Sequence, residues 1–148
     1  MTTISHMAKS EIRFTSTSPS GDSFKEGLQR LLQNFDGHAE CITETVTYKA
    51  KFGALYAHLS VILVDRNKAM AEYYYCDTDQ RSERFNRLSC GEREKITEVV
   101  DPVEGDWYSV GCVCDGDVIL RLLDDFLQYP FVLSQSSDWV EFEEIEYD

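Results

Sequence analysis

Long apolar runs are missing from this 148-residue sequence: the longest, near residues 59–64, is far shorter than the roughly 20 residues a membrane-spanning helix needs. No basic segment followed by an apolar one opens the chain, so nothing reads as a secretory signal, and a cytoplasmic protein is expected. Ser5-His6-Met7 resembles a cloning remnant, which sets residues 1–6 aside and leaves 7–148 as one domain. Internal repeats, low-complexity tracts and domain linkers are also missing.

Paired cysteine spacing is lacking too. The five cysteines are Cys41, Cys76, Cys90, Cys112 and Cys114, an odd set without C-x-x-C pairs, which fits neither a disulfide framework nor a structural zinc site. Cys112-x-Cys114 reads as small buried side chains on a strand, in a reducing compartment. The nucleotide-binding and hydrolase signatures G-x-x-x-x-G-K-[ST], G-x-G-x-x-G, G-x-S-x-G and H-E-x-x-H do not occur. His58 is a strand histidine for which the sequence names no catalytic partner. Asp77-x-Asp79, Asp115-x-Asp117 and Asp124-Asp125 do not continue into a calcium loop. No cofactor is expected.

What is present is a packed-domain composition, 43% hydrophobic and 12% aromatic, with a strongly uneven charge. From residue 101 onward there are thirteen acidic residues against one base, Arg121; the first hundred residues hold fourteen acids and thirteen bases. Nearly all of the formal charge of −13 therefore lies in the last third. That segment repels phosphate and attracts a basic protein, with fast, salt-dependent association. Direct nucleic-acid binding is not expected.

Helical spacing at Val118, Ile119, Leu122, Leu123, Phe126 and Leu127 predicts a helix that Asp115 or Asp117 caps and Pro130 stops. Residues 139–143 then alternate as a strand. Earlier, Ser23-Phe24-Lys25-Glu26 has the spacing of a capping box, ahead of a helix over 23–35 that Gly37 ends. Alternating segments predict strands over 41–51, 57–64, 70–76, 96–100 and 107–114, with a weak one after Ile12. Tyr74 should face away from Tyr73 and Tyr75. The polar and basic stretch 77–94, with Arg81, Arg84, Arg87 and Arg93, reads as loop. The sum is a single α+β domain: a mainly antiparallel sheet of five to six strands with two helices packed on it. Trp139 is expected in the core.

The chain resembles the bacterial polymorphic-toxin immunity proteins, in particular the Imm1-like group of small α+β proteins. The resemblance covers about 59–142 and rests on Ala71-Glu72-Tyr73-Tyr74-Tyr75, on Leu122-Leu123-Asp124-Asp125-Phe126-Leu127-Gln128-Tyr129-Pro130, and on Asp138-Trp139-Val140-Glu141. It implies a non-enzymatic, cytoplasmic inhibitor that binds a cognate toxin, often a basic nuclease, as a monomer in a one-to-one complex. Carboxylates would then occupy the toxin's phosphate groove. The candidates for that contact are Asp77, Asp79, Asp101, Glu104, Asp106, Asp138 and Glu141. An acidic secretion chaperone and a small enzyme are the competing readings.

Overall fold

Residues 44–77 alternate between apolar and polar side chains with a period of two, and three long strands result. A computed structural model of the chain describes residues 11–17, 23–36, 43–80, 84–100 and 107–145. In order, the elements are β1 (Arg13–Ser16), α1 (Phe24–Asn34), β2 (Glu44–Phe52), β3 (Leu55–Asp65), β4 (Lys68–Asp77), β5 (Arg84–Cys90), β6 (Val99–Val100) and β7 (Tyr108–Ser109). They continue with β8 (Val113–Asp115), α2 (Gly116–Gln128), β9 (Asp138–Val140) and α3 (Phe142–Ile145). The main sheet runs β1-β2-β3-β4-β5-β9, and β8 also joins β4, so seven strands are paired, all antiparallel. The expected α+β domain is the observed one. Among the described residues no helix is long and apolar enough to cross a membrane.

One face of the sheet carries Val46, Tyr48, Ala50, Ala57, Leu59, Val61, Leu63, Ala69, Ala71 and Tyr73, and both long helices pack onto it. Alanines face each other or a larger partner across the strands (Ala50 with Ala57, Ala71 with Val61, Ala69 with Leu63). The shallow sites they leave receive Leu28 and Leu32 of α1 and Ile119, Leu122, Leu123 and Phe126 of α2, all buried. The N-cap half of the expected capping box forms, with Ser23 Oγ accepting the Glu26 amide at 3.2 Å. Tyr73 and Tyr75 pack with this core, whereas Tyr74 lies on the other face against His58. Trp139, expected in the core, is half-buried at its margin against Tyr73.

Among the described residues, the opposite face is covered only in part. Met70, Leu88 and Val140 pack there with Ile96, Cys112 and Ile145, which come from the 91–112 segment and from α3. Cys112 and Cys114 thus belong to cores on opposite sides of the sheet. Burial pushes the Cys112 thiol up to about 11 and raises that of Cys114, so both stay protonated at neutral pH.

Several expectations fail for identifiable reasons. The stretch taken for a loop contains β5, whose alternation is hidden because polar residues stand on both faces. Ser89 is its structural centre: fully buried, its Oγ accepts the Ala71 amide at 2.9 Å and donates to the Cys112 carbonyl at 2.8 Å. Ser89→Ala strands both backbone groups and should cost about 3 kcal/mol in urea unfolding; a cost under about 0.5 kcal/mol would mean that neither bond matters. Ile96 sits in a turn, so only Val99–Val100 remain of the strand expected over 96–100. A 3-10 turn at Val110–Cys112 splits the strand expected over 107–114. The last strand stops at Val140 because the Glu144 carboxylate accepts the Glu141 amide at 2.7 Å and starts α3. Asp115 holds the N-cap position of α2 without a capping bond, because its carboxylate accepts from Lys68 Nζ at 2.6 Å. Gly37 and Cys41 lie outside the described residues.

Candidate functional site

The first three residues of β4 pair with β8 and its later residues pair with β5. β5 and β8 therefore follow one another along β4, and a groove of about 530 Å³ opens beside the end of β5 and β8. Its walls are Cys90–Glu92 at and just beyond the end of β5, Val113–Asp115 of β8, Val118 of α2, Lys68, and the 135–138 segment that enters β9. That last wall is held from behind. The Asp125 carboxylate accepts from Ser134 Oγ at 2.5 Å and Ser136 Oγ at 2.6 Å, while Trp139 Nε1 donates to the Ser134 carbonyl at 2.8 Å. Asp125, half of a possible cation-ligand pair in the sequence, is spent on loop architecture.

Three carboxylates rim the groove: Glu92, Asp115 and Asp138. Lys68 neutralises Asp115 at 2.6 Å, and Lys95 stands 3.5 Å from Glu92. Both pairs are about half exposed or more, where such contacts contribute roughly 0–1 kcal/mol. An incoming guanidinium or ammonium can displace either lysine at little cost. Asp138 has no ion-pair partner among the described residues. Among them, too, no group of three or more His, Cys, Asp or Glu side chains is placed to hold a metal ion.

The other sequence candidates do not converge on this groove. Asp77 and Asp79 lie at the far end of the β4–β5 pair, roughly 20 Å from Asp138 at strand spacing. There the Asp77 carboxylate accepts the Asp79 amide at 3.0 Å and shapes the turn. Glu141 is held by Arg87 at 3.1 Å. Asp101, Glu104 and Asp106 lie outside the described residues.

The uneven charge also looks different in space. Asp124 pairs with Lys25, Asp115 with Lys68, Glu141 with Arg87 and Glu144 with Arg93. Acids of the last third are the partners of bases from the first hundred residues. Of that third's described acids, Asp117, Asp138 and Glu143 are exposed and outside any ion pair among the described residues. Only Asp138 of the three lines the groove. Glu92 and Asp115 are the groove carboxylates that the sequence did not single out for partner contact: Glu92 sits in a stretch whose charge reads as basic, and Asp115 reads as a helix cap.

His58 does have partners. With Glu72 ionised, the His58 Nε2–H donates to Glu72 Oε1 at 3.4 Å, and the Tyr56 hydroxyl then donates to Nδ1 at 3.0 Å. Asn86 Nδ2 also donates to Glu72, at 3.2 Å. An imidazole aligned by a carboxylate has the form of an oriented base. The group lies on the uncovered sheet face rather than in the groove. Hydrogen bonds from His58, with a smaller share from Asn86, hold the Glu72 carboxyl below its ordinary value of 4.5. A depressed carboxyl stabilises the fold above its unfolded pKa and loses that contribution as pH falls through the folded one. Glu72→Gln should cost about 1 kcal/mol at pH 7, and the gap from wild type should close below about pH 4.5. A gap that is constant across that range would exclude the ionised network.

Compared with protein-family models, with curated proteins and with solved structures, the chain matches none.

Proposed function

We propose that this protein is an immunity protein that binds a cognate basic toxin domain one-to-one in the cytoplasm and blocks it. It acts by occupation, without catalysis and without a cofactor. The observation that carries the reading is the polar groove with Glu92, Asp115 and Asp138 on its rim. A nuclease presents lysines and arginines where phosphates bind, and carboxylates set on a rigid sheet can replace the substrate's charge there. Exposed carboxylates speed encounter, and desolvated ones slow dissociation. On and next to the β6–β7 pair, Val99, Val100 and Trp107 are exposed apolar residues, the kind of side chain that anchors a protein interface.

A secretion chaperone is less well supported, because it needs an extended apolar groove and this one is lined mainly by polar and charged residues. The class is tested by co-expression with the C-terminal domain encoded by the reading frame immediately upstream. Survival of cells that otherwise die is the expected result; killing that continues despite abundant soluble protein would exclude the immunity reading.

A further inference from the structure

The half of the sheet that neither helix layer nor second core covers is organised in cross-strand rows. One row reads Arg13, Lys51, Tyr56, Cys76, Arg84 from β1 to β5, and the next reads Thr15, Lys49, His58, Tyr74, Asn86. Tyr56, His58 and Tyr74 belong to neither apolar cluster and touch one another, with His58 and Tyr74 stacked at 5.1 Å and Tyr56 edge-on to His58 at 5.7 Å. Around them Arg13, Lys49, Lys51 and Arg84 are exposed, and none of the four is in an ion pair among the described residues. Elsewhere Lys25, Lys68, Arg87, Arg93 and Lys95 are paired with carboxylates, whereas Arg66 and Arg121 are exposed and outside any ion pair among the described residues, each away from this face. In a chain with 27 acids and 14 bases, four cations gathered around one aromatic centre, without an ion-pair partner among the described residues, are the reverse of what its composition favours.

We infer that this open face docks a protein segment rich in Asp and Glu, at a surface separate from the acidic groove. Its layout is that of a protein interface, with an aromatic and hydroxyl centre and charge at the rim. Two features favour discrete carboxylates over a nucleic-acid strand. The His58 and Tyr74 ring faces are turned on each other rather than offered to a base. Glu72, kept ionised by His58 and Asn86, lies beside them and would sit under a continuous run of phosphates. The bound carboxylates fall near Lys49, Lys51 and Arg13, which stand together on β2 and β1.

Fluorescence anisotropy tests this with two labelled probes at 50 mM salt, a twelve-residue Glu-Gly-Asp repeat peptide and a twelve-nucleotide oligo-dT. The peptide should bind in a salt-sensitive manner, and Lys49→Glu with Lys51→Glu should weaken it at least about 10-fold. Both side chains are exposed, and Lys49→Ala with Lys51→Ala gives the same reading at lower amplitude if the reversal disturbs folding. Tighter binding of oligo-dT than of peptide overturns the protein occupant in favour of a nucleic acid. Salt-reversible self-association in sedimentation that the double reversal abolishes overturns it in favour of a second copy. No peptide binding, or peptide binding that the substitutions leave unchanged, overturns the surface itself.

Discussion

Gly111→Ala is expected to lower stability by at least about 3 kcal/mol, or roughly 10 °C in Tm for a chain of this size. Gly111 lies in the 3-10 turn before β8, and an added Cβ would collide with the Glu92 carbonyl oxygen, the Ile96 nitrogen and the Lys95 carbonyl carbon. All three are backbone atoms, so no side chain can swing aside. Nor can Gly111 itself retreat, since its carbonyl accepts both the Gly91 and the Glu92 amides at 2.8 Å. The strain therefore falls on the segment that caps the second core and carries Glu92. Gly53→Ala is the contrasting case: the site is open and only its φ of +56° opposes a side chain, so about 1 kcal/mol is expected. Thermal unfolding of both variants checks the pair, and a Gly111→Ala protein that melts within about 2 °C of wild type would show that the turn is not closely packed.

Charge reversal in the groove should have the largest functional effect. With Asp138→Lys and Glu92→Lys together, affinity for the basic toxin domain is expected to fall at least about 100-fold, because truncating or reversing a desolvated charge costs about 2–5 kcal/mol. Asp138 is the more informative of the two. It has no competing cation among the described residues, whereas Glu92 already faces Lys95 at 3.5 Å. The pairing of Asp138 with Cys90 fixes the backbone beneath it, so the reversed side chain occupies the same place. Asp77→Lys at the far end of the sheet should change affinity less than about 3-fold, through long-range screening alone. Equal losses at both ends would assign the effect to net charge rather than to the groove.

Much of the architecture was legible because single residues carried unambiguous signals. Ser23 and Glu26 announce α1, the three- and four-residue spacing through Phe126 announces α2, and Thr/Val/Tyr alternation gives β2 to β4. β5 was not legible: Phe85, Arg87 and Ser89 share its inner face, and an arginine there argues against a strand. In the fold the Arg87 guanidinium lies 4.1 Å over the Phe85 ring and pairs with Glu141, which satisfies it locally. Residues 139–143 alternate well enough for a strand, yet the Glu144 cap, a contact invisible to periodicity, turns the chain into α3. For the proposed site, Asp138 is the one groove carboxylate among the candidates named from the sequence. Its neighbours Glu92 and Asp115 come together because β5 and β8 pair with successive parts of β4, which no local pattern encodes. The charge excess was legible as a number, but its pairing with Lys25, Lys68, Arg87 and Arg93 was not, because those contacts join residues far apart in the chain.

Calorimetric titration of the neighbouring toxin domain into wild type and into the combined Glu92→Gln, Asp115→Asn, Asp138→Asn variant tests the groove most directly. One-to-one binding that weakens steeply with salt in wild type, and at least about 100-fold in the neutralised variant, is the predicted result. Wild-type and neutralised proteins that bind the toxin domain with the same affinity and the same salt dependence would contradict it.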